Sequence, residues 1–262
     1  MSTPVLAAEK ERVSWEGWDK FNLDVGVFFP TQSTQLRLDS SDGLSGALLD
    51  WEDGLGLDNR QKLPRVDGLW RYGRRSSVRF SYFDLSRDTL SPLTVTFRWG
   101  DVVFDPTTTQ ALRTVLDLEI LQGSWGYSFF RRPRWDARVT LGLFAMKIRA
   151  SLTDPQTQVG DEGDVLAPLP VFGLGFDHKL TGKWCLGGHV QIFSITVDDY
   201  SGELVDAMFT ATHDTFKNVG FGIGYNFEDL DIIATKKDYR GELHIDYRGF
   251  FAYVRLRLWP GT

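Results

Sequence analysis

His244 and Asp246 stand two residues apart, and Asp198 and Asp199 form a pair of adjacent acids. An imidazole beside a carboxylate can take a proton from water, and a facing pair of acids can orient that water for hydrolysis. A second set is larger. Arg65, Arg71, Arg79, Arg138, Arg255 and Arg257 recur at strand-like spacing with Asp24, Asp67, Asp117, Glu119 and Asp136. Buried charges have to be paired. Such a set therefore either fills a narrow interior as an ion-pair network or lines a narrow path for ions and solutes. Of the remaining histidines, His189 beside Gln191 reads as a hydrogen-bonded interior residue, and His178 and His213 as solvated residues near turns. The acidic run Asp161–Asp164 lacks the spacing of a calcium loop and reads as solvated. Gly220, Gly222 and Gly224 alternate within a strand with no helix following, unlike a phosphate loop. Cys185 is the single cysteine, so neither an intrachain disulfide nor a thiolate cluster can form. No metal and no cofactor are expected.

The elements that carry these residues show period-two alternation over about ten residues, broken by short polar turns. Phe21, Leu23, Val25, Val27 and Phe29 interleave with Asn22, Asp24 and Gly26. The same rhythm places Trp70 against Arg71, Trp125 and Tyr127 against Ser124 and Gly126, Val139 against Arg138, and Val254 against Arg255. Alternate residues of a strand face opposite sides, so each strand has an apolar face and a polar or charged face. A sandwich gives the same pattern, but two features favour a barrel in a membrane. Aromatics gather at strand ends, as in interfacial girdles. Connections also sort by length: 73–77, 131–134, 180–183 and 214–218 are short, whereas 30–61, 90–110, 154–165 and 228–241 are long, with 198–203 the exception, short on the long side. Tight turns on one side and loops on the other are the habit of membrane barrels.

Counting strands on that basis gives ten, with eight or twelve left open. Thr34–Asp39 and Thr94–Trp99 are read as strands rising above the membrane into the long hairpins. Leu48–Asp58 reads as a loop held by a local apolar anchor of Trp51, Leu55 and Leu57; a lid over the lumen and a docking segment are the other readings. His244 and Asp246 have the wrong parity for the lumen unless Arg248–Gly249 forms a bulge, which glycine permits and which would turn both toward the lumen mouth.

The composition sets outer limits. At 42% apolar and 14% aromatic residues the chain is not disordered, and a net charge of −6 argues against nucleic-acid binding. No apolar run approaches the roughly 20 residues of a membrane helix. Ser2–Glu9 has small residues at Ala7 and Ala8, like the last positions before a signal-peptidase cut, so the chain is expected to begin near a mature end. The expected organisation is an N-terminal periplasmic segment over 1–19 and a transmembrane barrel over 20–259.

Gly249–Trp259 (GFFAYVRLRLW) resembles the closing strand of outer-membrane barrels, whose terminal aromatic belongs to an insertion signal; here Pro260, Gly261 and Thr262 follow Trp259. The stretches 49–58 (LDWEDGLGLD), 66–88 (VDGLWRYGRRSSVRFSYFDLSRD), 126–130 (GYSFF) and 198–204 (DDYSGEL) also resemble an uncharacterised group of proteobacterial outer-membrane barrels near the OmpA/OmpW-like small barrels. The resemblance implies an all-β antiparallel transmembrane barrel in the bacterial outer membrane. Its implied partners are outer-membrane lipid and lipopolysaccharide, the barrel-insertion machinery and an envelope protein. It transfers no catalytic residue. The expected function is a structural or interaction component, or a narrow porin-like channel. The alternative is a hydrolase, an omptin-like protease or a lipid A-modifying enzyme, using His244, Asp246, Asp198 and Asp199 at the extracellular mouth.

Overall fold

In the computed structural model, residues 17–39, 48–99, 101–197, 200–236 and 239–258 are described. Thirteen strands follow in chain order: β1 (Phe21–Leu38), β2 (Leu49–Asp50), β3 (Leu63–Arg71), β4 (Ser76–Pro92), β5 (Phe97–Trp99), β6 (Val102–Phe104), β7 (Ala111–Arg131), β8 (Trp135–Thr153), β9 (Gly160–Lys179), β10 (Trp184–Val197), β11 (Tyr200–His213), β12 (Val219–Lys236) and β13 (Tyr239–Leu258). Each barrel strand pairs antiparallel with its neighbour in sequence, and β13 returns to β1 to close the ring. Leaving out the two-residue β2 and the separate β5–β6 hairpin, ten strands form the wall. Where the ring is fully paired, closure leaves no strand edge open, which is the condition for a sheet to cross lipid; beyond Phe28 and Phe83 the edges of β1 and β4 are no longer joined by β3, and β9 pairs with β10 only from Phe172 to Lys179.

The strands are longer than a membrane needs. β7 has 21 residues and β8, β9 and β13 have 19 to 20. At about 3.3 Å per residue and a tilt near 40°, such a strand rises roughly 50 Å, twice the ~25 Å apolar band of a membrane barrel. About half of the wall therefore stands clear of the bilayer. The expected long loops are mostly strand: β1 runs on to Leu38, β8 and β9 extend to a turn over 154–159, and β12 and β13 pair as far as Lys236 and Tyr239. Thr34 and its neighbours are strand, as expected, whereas from Thr94–Trp99 only Phe97–Trp99 is, outside the barrel ladder. Trp259 and the residues after it lie outside the described ones.

The two faces of the wall exchange character at one height. On β7, Gln122, Ser124, Gly126 and Ser128 face inward, with Leu121, Trp125, Tyr127 and Phe129 outward; above that level Leu112, Leu116, Leu118 and Ile120 face inward, with Arg113, Asp117 and Glu119 outward. Neighbouring strands change in the same rows. Tyr82, Leu121 and Ala145 form the outward row below the change, and Asp84, Glu119 and Lys147 the outward row above it. On β12, Phe227 gives way to Asp229 outside while Glu228 gives way to Leu230 inside. Below the change the barrel is apolar outside and polar inside, as a bilayer demands. Above it the barrel is polar outside and apolar inside, as water demands.

Candidate functional site

Three layers fill the lumen. At the periplasmic end, the guanidinium of Arg71 donates to Asp177 at 2.9 Å, to Asp136 at 3.4 Å and to the carbonyl of Asp19 at 3.2 Å. Arg138 donates to the same two carboxylates. Arg255 grips Asp24 through two hydrogen bonds of 2.7 and 2.6 Å, and Arg257 grips Asp19 through two of 2.8 Å. Trp18 closes this end: its ring lies under Arg71 and Lys179, and its Nε1 donates to the carbonyl of Arg132 at 2.9 Å. The last residues of the N-terminal segment thus belong to the plug.

The middle layer centres on Arg65 and Asp206. Arg65 donates to Asp67 at 2.8 and 3.1 Å and to Asn226 at 2.7 Å, with the rings of Phe28, Phe83 and Phe251 5.1 to 5.6 Å from its guanidinium carbon. Asp206 accepts from Asn226 at 3.0 Å and Gln122 at 3.1 Å, and shares a hydrogen bond of 2.9 Å with His189. Gln122 donates to Gln191, and Tyr247 to Glu228. His189 is thus the hydrogen-bonded interior residue expected. Two voids of about 10 and 20 Å³ lie within the polar layers. Arg79 lines both. The smaller brings together Thr140 and His189, whose Oγ1 and Nδ1 have no protein partner, in space for one water molecule. The space beside Gly222 and Gly224 is taken up by aromatic rings. A Cβ on either would strike the ring of Tyr253 or Phe251, which fills that space.

The third layer is the cap. Trp51, Leu55 and Leu57 from the segment after β2, and Phe97, Trp99 and Phe104 from the β5–β6 hairpin, are buried in one apolar cluster with Leu112, Leu116 and Leu152 of the wall. Trp51 meets Trp99 edge to face at 5.6 Å. The acidic segment is therefore the lid, not only a locally anchored loop. Glu52 latches it: its carboxylate takes the backbone N–H of Thr34 on β1 at 2.6 Å and pairs with Arg87 on β4, which also donates to the Thr34 hydroxyl at 2.7 Å.

Of the charges expected in the lumen, Arg65, Asp67, Arg71, Arg79, Asp136, Arg138, Arg255 and Arg257 face it, together with Asp24. Asp117 and Glu119 do not. The parity that sends Trp125 and Tyr127 outward sends them outward too, into a polar patch with Tyr82, Asp84, Lys147 and Arg149. His244 and Asp246 also face outward. β13 pairs with β1 and β12 without a register break from Gly241 to Leu256, so the bulge at Arg248–Gly249 does not exist. Among the described residues, the wall's register shifts at Ser128/Phe130 on β7, near a periplasmic turn. His244 shares a 2.5 Å hydrogen bond with Asp231, and donor atoms of Asp229, Asp231 and His244 come within 4.8 Å of one another on this exposed outer wall. Asp198 and Asp199 lie outside the described residues. Asp177, Asp206, Glu228, Glu52 and Arg87 escaped the sequence reading. Asp177 could have been found from the outward parity of Phe172 and Leu174, while Glu52–Arg87 joins elements whose contact no local pattern announces.

A closed ten-stranded wall with an apolar outward band, aromatic ends and a charged, filled interior defines a transmembrane β-barrel of the bacterial outer-membrane class. No family model matches the sequence, and no curated protein matches it. Among solved structures, the outer membrane protease OmpT from Escherichia coli aligns with a TM-score of 0.57 at 11% identity, covering 91% of this chain and 96% of its own. The outer membrane protein AlkL aligns at 12% identity over 100% and 98% of the two chains with a TM-score of 0.37, and neisserial surface protein A at 14% over 91% and 97% with 0.30. The likeness to OmpT is one of fold.

Proposed function

We propose that this protein is a non-conducting, non-enzymatic outer-membrane barrel whose working part is the rigid head above the bilayer, a structural or interaction component of the envelope. The observation that carries this reading is the filled lumen. An ion-pair layer, a hydrogen-bonded layer and a latched apolar cap succeed one another along the axis, and the two voids within the polar layers admit about one water each. A conducting filter needs a continuous polar path, and a dry apolar plug under a lid opposes one. His244 and Asp246 point outward from the wall, which favours this reading over a hydrolase at the extracellular mouth.

Reconstitution of the purified barrel into a planar bilayer tests the proposal. No stepwise conductance is expected over a wide voltage range. Reproducible open-channel steps would sink it.

A further inference from the structure

The tight turns at the periplasmic end carry a charge opposite to that of the chain as a whole. Arg74 and Arg75 between β3 and β4, Arg132 and Arg134 between β7 and β8, Lys183 before β10 and Lys217 before β12 are all exposed. Asp214 is the one carboxylate in these four turns, and it pairs with Arg257 at 3.3 Å. The chain has a net charge of −6, and the outer wall of the head bears Asp84, Asp117, Glu119, Asp229, Asp231 and Asp246. Positive charge is thus collected at one end against the balance of the sequence.

The four arginines stand at a single corner. β4 pairs with β7, so the connections 72–75 and 132–134 are neighbours. Two hydrogen bonds of 2.7 Å tie them: Arg131 Nη1 donates to the carbonyl of Arg74, and the Ser128 N–H to that of Arg75. Exposed guanidiniums carried on tied turns repel one another, and a bound anion relieves that repulsion. What stands beside them selects the anion. Trp70 and Trp125 share an outward row with Val78 between them, and Tyr127 lies in the next row toward the turns. Trp125 Nε1 donates to the hydroxyl of Tyr72 at 2.8 Å. These four rings are 38% to 47% exposed, and exposed Trp and Tyr at strand ends mark the level of lipid headgroups. Connections this short stay near that level, where an arginine fork matches phosphate with paired hydrogen bonds. A soluble acidic partner would meet the cations but leave the rings uncovered. We propose that this corner binds the headgroup of an anionic phospholipid of the periplasmic leaflet, with the acyl chains lying along Trp70 and Trp125. The site stands whether or not the lumen conducts, because it is on the outer rim.

The test titrates phosphatidylglycerol or phosphatidylcholine into the full chain in uncharged maltoside micelles and follows backbone amides of the four turns by NMR. Saturable shifts in 72–75 and 132–135 are expected with phosphatidylglycerol, which should bind at least about fivefold more tightly than phosphatidylcholine, the scale of one cation near an anionic surface. Salt should weaken the preference. Glycerol phosphate, an anionic headgroup without chains, should bind at least about tenfold more weakly, since it leaves the rings uncovered. Arg132→Gln with Arg134→Gln should weaken phosphatidylglycerol about tenfold, whereas Lys183→Gln with Lys217→Gln, away from the corner, should stay within about twofold. Heat-modifiable migration on a gel checks folding; if the first pair fails, Arg74→Gln with Arg75→Gln takes its place. Equal binding of the two lipids, or an equal loss in the arginine and lysine variants, overturns the site. Glycerol phosphate binding as tightly as the lipid overturns the lipid in favour of a free phosphate. Polyglutamate shifting the same amides while phosphatidylglycerol does not would overturn it in favour of an acidic protein segment.

Discussion

The wall below the row Tyr82–Leu121–Ala145 and the wall above it are built from the same long strands, with the β4–β7, β7–β8 and β12–β13 ladders running through both, yet they face opposite solvents. Below, Leu141 is 48% exposed to the surroundings and the buried Arg138 is paired with Asp136 and Asp177 inside. Above, Leu116 and Leu118 are buried inside and Arg113 meets Asp88 on the surface at 2.6 Å. Along those ladders the backbone does not distinguish the two halves, since its pairing continues through both. Side-chain phase alone sets which part lies in lipid and which in water. The inversion also fixes depth: a slide along the bilayer normal would put charges of the head into lipid or apolar residues of the band into water.

The largest effect that can break this comparison is at the lid. Besides its apolar anchors, the lid is latched by the Glu52 carboxylate, which neutralises Arg87, a residue almost wholly buried. Glu52→Ala leaves that guanidinium in an apolar interior with the Thr34 hydroxyl, and loss of one partner from a buried pair costs about 3–5 kcal/mol. Protection of the amides of residues 49–57 from hydrogen exchange should fall sharply, while amides of β12 and β13 within the bilayer keep theirs. If protection fell equally in both zones, the head and the membrane zone would be one cooperative unit.

A smaller effect follows from moving one charge between zones. Leu141→Arg sets a guanidinium in the apolar band and should cost about 2–4 kcal/mol in folding into lipid vesicles. Val115→Arg places the same group outward on β7 in the row of Asp88 and Ser151, where the surroundings are already polar, and should cost within about 0.5 kcal/mol of nothing. Urea titrations of the two variants measure the difference. Equal costs would mean that the bilayer reaches as high as Val115.

The same inversion explains what the sequence disclosed. Ten strands, the closing pair and the inward Arg–carboxylate set follow from alternation, because below the change the phase is constant and lipid enforces it. Asp117, Glu119, His244 and Asp246 were misplaced when that phase was extended upward. On β13 the conflict between His244 and Phe250 was visible, and a bulge is one way to resolve it. A change of solvent at constant register is the other, and a single strand's pattern does not separate them; adjacent apolar residues such as Ile120–Leu121, where the phase flips, are the mark of the second. The lid latch was out of reach for a different reason. Glu52 and Arg87 are 35 positions apart on elements with no shared periodicity, so only the closed barrel brings them together.

The smallest expected effect lies in the cap's β5–β6 hairpin. Asp105, just after β6, accepts from the hydroxyl of Thr107 at 2.6 Å and from its backbone N–H at 2.8 Å, with Thr96 reaching its other oxygen at 3.3 Å. The hydroxyl bond, then the backbone one, holds this carboxyl below the usual carboxylate range. A folded pKa below the unfolded value, about 3.9, means that the turn is favoured above that value and loses the contribution as pH falls through the lower folded pKa. The hairpin should therefore be insensitive to pH from neutrality down to about 4 and loosen only in more acid solution. NMR titration of the Asp105 carboxyl should give a midpoint below 3.8, and Thr107→Val should raise it toward the ordinary value. A wild-type midpoint at or above the ordinary value would show that the turn does not hold the hairpin, leaving Trp99 and Phe104 to anchor the cap by burial alone.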